Sequence, residues 1–543
     1  MPSHHAPLPA LRRYAIVQAM IGSRLPRFAL VFLSLVFVSA FAVAGAACSK
    51  KDDKDKTDKD KKVKKTKNPA SGGGIVRAKP DGTNKKTAPV KKPPLKKLAV
   101  QTGKHALKHS WSLRFGDKRR DNARGIATDS RGNIYMVGLF SGKVDFGNKK
   151  PLDSGKQVNV FLTKYDSEGA LKWVKSIGNK GEEDASAVAV DKDDNVIVVG
   201  LFSNQLRIGS KLLDAEHEAD NIFVAKFDDE GKLQWATDFG ADGNEVANGL
   251  AVDSAGNILV TGTFQQFIDF GAGKLRSVGN NDVFITKLTP KGKLVWARSM
   301  GALHDDVGRA LAVDVQDNVY LGADLTRNTK LDGKKLDIKG QTDAAVIKFD
   351  SNGKVVWATT VGGAFQEILV GLAVDPAGGV IATGGFKDKM TVGGETFKSK
   401  GNSDIFIVKL DSKGKVAWTR AYGNRYKDVG ASVSTNKFGT IMVTGWFEST
   451  VDFGNGKFKS AGNKDIFLLK LSADGKHLWS SQYGAKGDDT ARAILIDDDG
   501  VVTVSGTFRF EVDFGGNPLD SARDLEKKLP AGDAFLTRFT PVD

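Results

Sequence analysis

The sequence predicts an all-β fold: a seven-bladed β-propeller of four-stranded antiparallel blades, preceded by a disordered N-terminal tether. Three observations predict it. A Trp recurs seven times at intervals of 61 or 62 residues, and each is followed five residues later by Gly. Each interval contains four short strand-like segments separated by Asn, Asp and Gly turns. The excess of positive charge lies before the first of these Trp residues, in a segment without hydrophobic periodicity.

An export signal is predicted over residues 1–47. Two Arg residues precede an apolar run from Phe28 to about Val43, which is followed by small residues and by Cys48, the single cysteine of the chain. This layout is typical of a signal peptide. The run of about 16 residues is shorter than the roughly 20 that a membrane-spanning helix requires. We therefore favour a signal peptide over a spanning helix.

The small residues at 45–47 and Cys48 resemble the lipobox of bacterial lipoproteins. The resemblance implies that the cysteine is lipidated and becomes the mature N-terminus. It also implies an exported protein, lipid-anchored to the cell envelope, because several acyl chains together anchor a protein stably. Ser49 is compatible in that pattern with the outer membrane or cell surface. The alternative is an ordinary signal peptide cut nearby, which would leave Cys48 as an incidental thiol.

A lipidated, disordered linker is predicted over residues 48–108. Residues 1–108 hold 24 of the 80 Lys and Arg residues but only 6 of the 64 Asp and Glu residues. The linker is rich in Lys, Asp and Pro and cannot bury a core, so it should stay disordered. The rest of the chain is nearly neutral. Because a nucleic-acid-binding domain carries basic charge on its fold, we expect no nucleic-acid partner.

The propeller is predicted over residues 109–543. In one repeat, residues 246–253 and 256–264 form two strands joined by an Asp/Gly turn, and residues 282–288 alternate apolar and polar side chains. A further turn leads into the strand that contains Trp296. Four-stranded antiparallel sheets repeated around an axis make a propeller. The Trp residues, which we expect to pack between neighbouring sheets, are Trp111, Trp173, Trp235, Trp296, Trp357, Trp418 and Trp479.

The two ends of this region complement each other. An isolated Trp strand at 109–116 precedes the first unit, and the last unit ends at 533–539 without one. Pairing the N-terminal Trp strand with the C-terminal strand gives seven strands of each of the four kinds and leaves no unpaired edges. We therefore expect a closed ring, and a monomer.

The repeat resembles SBBP, a bacterial β-propeller repeat of exported proteins. The resemblance spans residues 109–543 and is carried by the Trp, by Thr-Gly-Thr-Phe at 261–264, and by Ala-Val-Asp at 189–191, 251–253, 312–314 and 373–375. It implies a seven-bladed propeller and little about activity. Blade 4 departs most from the pattern, with Ala323, Leu325 and Ala345 in place of Gly, Phe and Phe, and is predicted to be the least well packed.

Two sets of acidic residues recur with the repeat. The Asp that ends each inner strand is predicted to be a turn residue. A second set, ten positions after each Trp, should lie near the mouth of the central channel. It could be an acidic ring that attracts cations or a cationic ligand, or carboxylates that accept backbone N–H bonds at tight turns, which we favour. The members of the second set are Asp121, Glu183, Glu245, Asp306, Glu367, Asp428 and Asp489.

Departures from the sevenfold pattern indicate a candidate binding face. Blade 7 carries extra residues within 517–533, expected on the same end as the blade connections and predicted to contain a helical turn. Blade 6, next to it, has an additional aromatic. The candidate residues are Trp446, Arg523 and Asp524. The alternative is a tolerated surface insertion.

Catalytic and metal-binding motifs are not found. The seven His residues include no pair with zinc-ligand spacing, and no nucleophile elbow is present. We predict no catalytic residue, metal or cofactor. We favour an envelope-tethered lipoprotein whose propeller binds or scaffolds a protein or polysaccharide partner. The alternative is an extracellular lyase or hydrolase that acts on envelope polymers from the loop face, for which His304 beside Asp305 and Asp306 is the local hint.

Overall fold

The computed structural model describes residues 75–77 and 106–542, apart from residues 120, 180, 216–218, 242, 455, 525–528 and 531. Every regular element in these residues is a β-strand, which confirms the all-β prediction. No helix among them is long and apolar enough to cross a membrane. The predicted signal peptide, Cys48 and most of the predicted linker lie outside the described residues.

Seven four-stranded antiparallel sheets form the blades, as predicted. The innermost strands are Asn122–Thr128, Glu183–Val190, Val246–Val252, Val307–Val313, Glu367–Val374, Val429–Thr435 and Thr490–Ile496. The second strands are Ile134–Val144, Val196–Ser203, Ile258–Phe264, Val319–Thr326, Val380–Phe386, Ile441–Phe447 and Val502–Phe508.

The two outer layers of each blade follow the same order. The third strands are Leu152–Tyr165, Asp220–Phe227, Asp282–Leu288, Thr342–Phe349, Asp404–Leu410, Asp465–Leu471 and Asp533–Pro541. The outer strands, which carry the recurring Trp, are Leu171–Ile177, Leu233–Phe239, Leu294–Met300, Val355–Gly363, Val416–Tyr422, His477–Tyr483 and Leu107–Phe115. Blades 1 to 7 are numbered by their innermost strands in chain order.

Blade 7 closes the ring as the sequence predicts. Its outer strand, Leu107–Phe115, comes from the N-terminal side of the propeller and pairs antiparallel with Asp533–Pro541, with Ser112 opposite Thr537. The Ser112 and Thr537 hydroxyl oxygens are 2.8 Å apart. The guanidinium of Arg114 donates to the Asp533 carboxylate at 2.5 Å. Residues 425 positions apart in the chain therefore share one sheet.

Six of the seven recurring Trp residues contact the next blade in the same way. The indole N–H of Trp111 donates to the Ser167 carbonyl of blade 1 at 3.0 Å. Its ring packs on Gly169, a turn glycine with φ +84° at which any side chain would be strained and would press on the indole. The same donor and turn glycine recur for Trp173, Trp235, Trp296, Trp357 and Trp418. These contacts support the packing role expected for the Trp residues.

The hydrophobic core is distributed between neighbouring blades. One cluster joins Leu536 of blade 7 to Met136 and Phe161 of blade 1, so the closing blade is packed as well as hydrogen-bonded. In blade 4 the three departing residues are all fully buried, in a cluster shared with blade 3. Leu369 of blade 5 packs against Gly322 of blade 4, next to the small side chain of Ala323.

A two-stranded hairpin lies between the second and third strands of every blade. In blade 1 the long second and third strands themselves continue into it. The others are Gln205–Ile208 with Lys211–Asp214, Phe267–Asp269 with Lys274–Arg276, Lys330–Leu331 with Lys334–Lys335, Lys389–Val392 with Glu395–Lys398, Thr450–Asp452 with Lys457–Lys459, and Glu511–Val512 with Leu519–Asp520.

The blade 7 insertion forms one more short pair of strands. Arg523–Asp524 pairs with Leu529–Pro530, where a helical turn was predicted. Within the predicted linker, Ile75–Arg77 forms a strand that pairs with the outer strand of blade 3, and the first propeller strand begins at Leu107 rather than at residue 109.

The Asp that ends each inner strand is a turn residue, as predicted. In blade 3, Asp253 accepts the backbone N–H of Ala255 at 3.0 Å and of Asn257 at 2.8 Å. It also forms a buried ion pair with Lys287 of the third strand, at 2.7 Å. The corresponding pairs are Lys164 with Asp129, Lys226 with Asp191, Lys348 with Asp314, Lys409 with Asp375, and Arg538 with Asp497.

Blade 6 breaks this series, because Asn436 replaces the Asp opposite the buried Lys470. Burial without a carboxylate lowers the pKa of Lys470. Replacing Asn436 by Asp should raise the free energy of unfolding by about 1–3 kcal/mol, since it supplies the missing partner. The lost bond from the Asn436 amide to the Asp497 carbonyl, now 3.2 Å, offsets part of the gain. Chemical denaturation measures the difference.

The matched control is Asp253→Asn, which removes the carboxylate from the intact pair in blade 3. It should lower the free energy of unfolding by about 3 kcal/mol, because breaking a buried pair leaves an uncompensated charge. If Asn436→Asp leaves stability unchanged or lowers it, the ion pairs do not stabilise the blades in the way inferred.

Candidate functional site

The connection end of the propeller is the end at which each outer strand leads to the next blade. The acidic residues ten positions after each Trp all lie here, and each is at least 99% buried. Asp121 accepts the backbone N–H of Asp117 and of Ser141, each at 2.9 Å. Asp306, Asp428 and Asp489 bridge the equivalent pairs of N–H groups. These carboxylates therefore fasten the blade connection to the second strand.

At the other three positions the residue is Glu, and its carboxylate accepts the backbone N–H of the blade connection. Glu183, Glu245 and Glu367 each accept the N–H four residues earlier, at 3.0 to 3.2 Å. Because all seven side chains are buried, the set does not present a ring of charge to solvent. The geometry favours the structural interpretation of this position over cation attraction.

Burial raises the pKa of six of these carboxyl groups, those of Asp121, Glu183, Asp306, Glu367, Asp428 and Asp489. The pKa is raised to about 8 in Asp121, Glu183 and Glu367, and to about 7 in Asp428 and Asp489, mainly because the charged form is desolvated. In the unfolded chain the same groups titrate near pH 4. The folded state therefore retains protons that the unfolded state releases.

This difference predicts that stability falls as the pH rises. The contribution is fully present below about pH 4 and is lost as the pH passes through 7 to 8. We expect the free energy of unfolding to be lower at pH 9 than at pH 6 by at least about 2 kcal/mol, measured by denaturant unfolding. In Glu183→Gln, which keeps the acceptor but cannot ionise, the decrease should be smaller. Stability that is constant or rises over this range would contradict the account.

A second recurring set of Asp and Asn side chains, not singled out from the sequence, explains the recurring Gly. Asp282 begins the third strand of blade 3. A Cβ added to Gly301 would lie only 2.4 Å from the carboxyl carbon of Asp282. The Gly five residues after each Trp meets the equivalent Asp or Asn in every blade, at 2.0 to 2.7 Å. These partners are Asn159, Asn221, Asp282, Asp343, Asp404, Asp465 and Asp533. The Gly therefore makes room for a polar side chain.

Exposed ring side chains break the sevenfold pattern at this end. The position eight residues after the Trp is His304, Phe365 and Tyr426 in three consecutive blade connections. All three are exposed, Phe365 by 40% and Tyr426 by 37%. We call these three residues the ring arc. The same position is Arg119, Gly181, Gly243 and Gly487 in the other connections.

Trp446 lies beside the ring arc, on the second strand of blade 6. It is only 9% exposed, and two lysines lie against its ring. The Lys464 Nζ is 4.6 Å and the Lys427 Nζ 5.7 Å from the ring centroid. Burial and the charge of Lys464 lower the pKa of Lys427. The predicted aromatic is therefore a support for two cations rather than an open stacking surface.

The other two residues of the predicted binding face belong to the blade 7 insertion. Arg523–Asp524 is a strand whose backbone the structure describes, but their side chains lie outside the described residues. Their part in the predicted binding face therefore stays a prediction.

The three adjacent residues that hinted at catalysis do not share one environment. His304 and Asp305 are exposed, and the Asp305 carboxylate accepts from the Asn281 amide at 2.7 Å. Asp306 is buried and bonded to backbone N–H groups. In the part of the chain that the structure describes, no group of three or more His, Cys, Asp or Glu residues is placed to hold a metal ion.

Comparison with known proteins finds repeats of one family. Residues 110–139 and 234–263 match the model described as SBBP, Beta-propeller repeat. An uncharacterized WD repeat-containing protein of Acanthamoeba polyphaga mimivirus is 22% identical over 73% of this chain and 36% of its own length. The Regulatory protein FlaEY of Caulobacter vibrioides is 24% identical over 70% of this chain and 42% of its own. The chain thus spans less than half the length of either relative.

Solved structures similar to this chain include enzymes at low identity. A polysaccharide lyase is 10% identical, with a TM-score of 0.37 over 78% of this chain and 90% of that chain. A puromycin hydrolase mutant complexed with PGG is also 10% identical, with a TM-score of 0.40 over 74% of this chain and 52% of that chain. The repeat matches and the closed ring of seven sheets lead to one conclusion: the chain is a β-propeller repeat protein.

Proposed function

We propose that the protein is an envelope-tethered lipoprotein whose propeller is a non-enzymatic binding module, with a polysaccharide as its partner. The ring arc carries this proposal. Three consecutive connections place His304, Phe365 and Tyr426 in solvent at one repeated position, where three other connections have Gly. Aromatic rings offer a rigid apolar face with little entropy to lose, and such faces pack well against the C–H faces of sugar rings. Exposed apolar groups that cluster on one face favour an interaction site.

The anchor in this proposal is Cys48. The apolar run before it and the small residues at 45–47 support export and lipidation, and a lipid anchor would hold the protein at the outer membrane or cell surface. Metabolic labelling with a fatty acid tests this part. We expect label in the wild type and none in Cys48→Ala; label retained in that variant would overturn the lipoprotein assignment.

The enzyme alternative requires a convergent set of acids and bases. A lyase or hydrolase at this end would need His304 to face two carboxylates, but Asp306 is buried beneath the turn and engaged by backbone N–H groups. A repeat position that serves the fold in all seven blades is not available to act on a substrate.

Binding to defined polysaccharides tests the module. Isothermal titration of the purified protein with acidic and neutral oligosaccharides should show weaker binding in Phe365→Gly and Tyr426→Gly, each of which installs the residue found in other connections. Phe510→Gly is the matched control, because Phe510 is an exposed aromatic, by 42%, beside the blade 7 insertion. Loss of binding in the control with retention in the ring-arc variants would move the site to the insertion.

A further inference from the structure

Three residues that are unique to blade 6 meet at the connection end. Lys427 lies in the connection from blade 5, Trp446 on the second strand and Lys464 at the start of the third. At the position of Lys427 the other connections have Arg120, Glu182, Asn244, Asp305, Gln366 and Asp488. At the position of Lys464 the other blades have Val158, Asp220, Asn281, Thr342, Ser403 and Gly532. Arg120 places a single cation in blade 1, and blade 6 alone has a cation at both positions.

The strand register fixes the three residues together. Trp446 lies opposite Val429 on the inner strand and Ile466 on the third strand. Lys427 and Lys464 therefore flank the Trp446 strand from both sides, and both ammonium groups lie within 6 Å of its ring centroid. A cation over an indole is attracted by the negative face of the ring. Trp446 thus orients both lysines before any ligand arrives.

Among the described residues, neither of the two lysines forms a salt bridge. The nearby Asp488 pairs instead with Arg509 of blade 7, at 3.5 Å, and Glu448 acts on Lys427 only at longer range. Arg425, whose guanidinium carbon lies 4.9 Å from the centroid of the Tyr426 ring, adds a third cation two residues before Lys427 in the chain. Two like charges held on one ring repel each other, and an anion placed between them would relieve this repulsion.

We propose that Lys427 and Lys464 bind a carboxylate of an acidic polysaccharide. The two oxygens of one carboxylate can each accept a charge-assisted hydrogen bond, one from each lysine. Tyr426 of the ring arc directly precedes Lys427, so a sugar ring on the arc would place its carboxylate toward the lysines. This inference rests on the proposed function and names the class of polysaccharide: a polymer of uronic acids.

The experiment measures binding of a galacturonate oligosaccharide, its neutral methyl ester and inorganic phosphate to the full-length protein, by isothermal titration. The wild type should bind the acid at least about tenfold more tightly than the ester. Lys427→Gln and Lys464→Asn, which install residues found in other blades, should each weaken binding of the acid by about tenfold or more and leave binding of the ester unchanged. Lys464→Arg should retain binding of the acid.

The matched control is Lys274→Gln, because the Lys274 ammonium lies 3.7 Å over the ring of Phe267 in blade 3 without a second lysine. It should bind the acid as the wild type does. Equal binding of acid and ester, or unchanged binding in the lysine variants, overturns the lysine site while the proposed function stands. Binding of phosphate alone overturns the saccharide assignment, and binding of neither oligosaccharide overturns both proposals.

Discussion

A chain that begins at residue 117 is expected not to form the native propeller. It lacks the strand Leu107–Phe115, so blade 7 retains three strands and Asp533–Pro541 presents a free edge. Unpaired edges of this kind promote aggregation, and the cluster shared with blade 1 loses Leu113 and Phe115. We expect insoluble protein, or a species without a cooperative unfolding transition in calorimetry.

A single substitution isolates the contribution of the closing Trp. Trp111→Ala should lower the free energy of unfolding by about 2–4 kcal/mol, somewhat less than for a fully buried Trp because the ring is partly exposed. Trp418→Ala is the control for local packing. Trp418 makes the same hydrogen bond and glycine contact, but it does not lie at the junction of the two chain ends. If the chain that begins at residue 117 folds to the native propeller and unfolds cooperatively, the strand Leu107–Phe115 is not required to close the ring.

Gly262→Ala is expected to destabilise the protein by about 3 kcal/mol or more. A Cβ at this position on the second strand of blade 3 would lie 1.8 Å from the carbonyl oxygen of Val246 on the inner strand. The obstacle is backbone, so the two strands must separate, and overpacking of this kind costs about 1–3 kcal/mol or more. The equivalent glycines have the same contact at 1.9 to 2.1 Å, and they are Gly138, Gly200, Gly384, Gly445 and Gly506.

Blade 4 supplies the control for this prediction. Ala323 already occupies the equivalent position, opposite Ala345 where blade 3 has Phe284. Ala323→Gly should therefore cost only about 0.5–1 kcal/mol, the usual effect of Gly in a strand. Denaturant unfolding compares the two variants. A loss of stability in Gly262→Ala no larger than in Ala323→Gly would contradict the close contact between the inner and second strands.

The repeat made the fold predictable from sequence. The spacing of the Trp residues set the number of blades, and the orphan strand around Trp111 could complete only the last one. The turn role of Asp253 followed from its place between two strand segments. These predictions succeeded because they depend on chain order and local turn chemistry, which one sequence displays.

Other parts of the connection end could not be read in the same way. The buried partner of Gly301 is Asp282, on a different strand, and no sequence spacing shows that contact. Trp446 was visible as an additional aromatic, but its contact with Lys427 and Lys464 depends on strand register. The ring arc could have been found in the sequence. It requires comparing the residue eight positions after each Trp and noting the blades in which it differs, instead of noting only the residues that recur.

The account depends most on the pairing of the chain ends, and a cross-link tests it directly. In a chain with Cys48→Ser, Cys residues at positions 112 and 537 should form a disulfide in the native state, because Ser112 and Thr537 are paired and their hydroxyls are 2.8 Å apart. Mass spectrometry of the linked peptides detects it. The control places the second Cys at Thr286, the equivalent of Thr537 in blade 3, and should give no intramolecular link. If the variant with cysteines at positions 112 and 537 folds but forms no disulfide between them under oxidising conditions, the closed ring is contradicted.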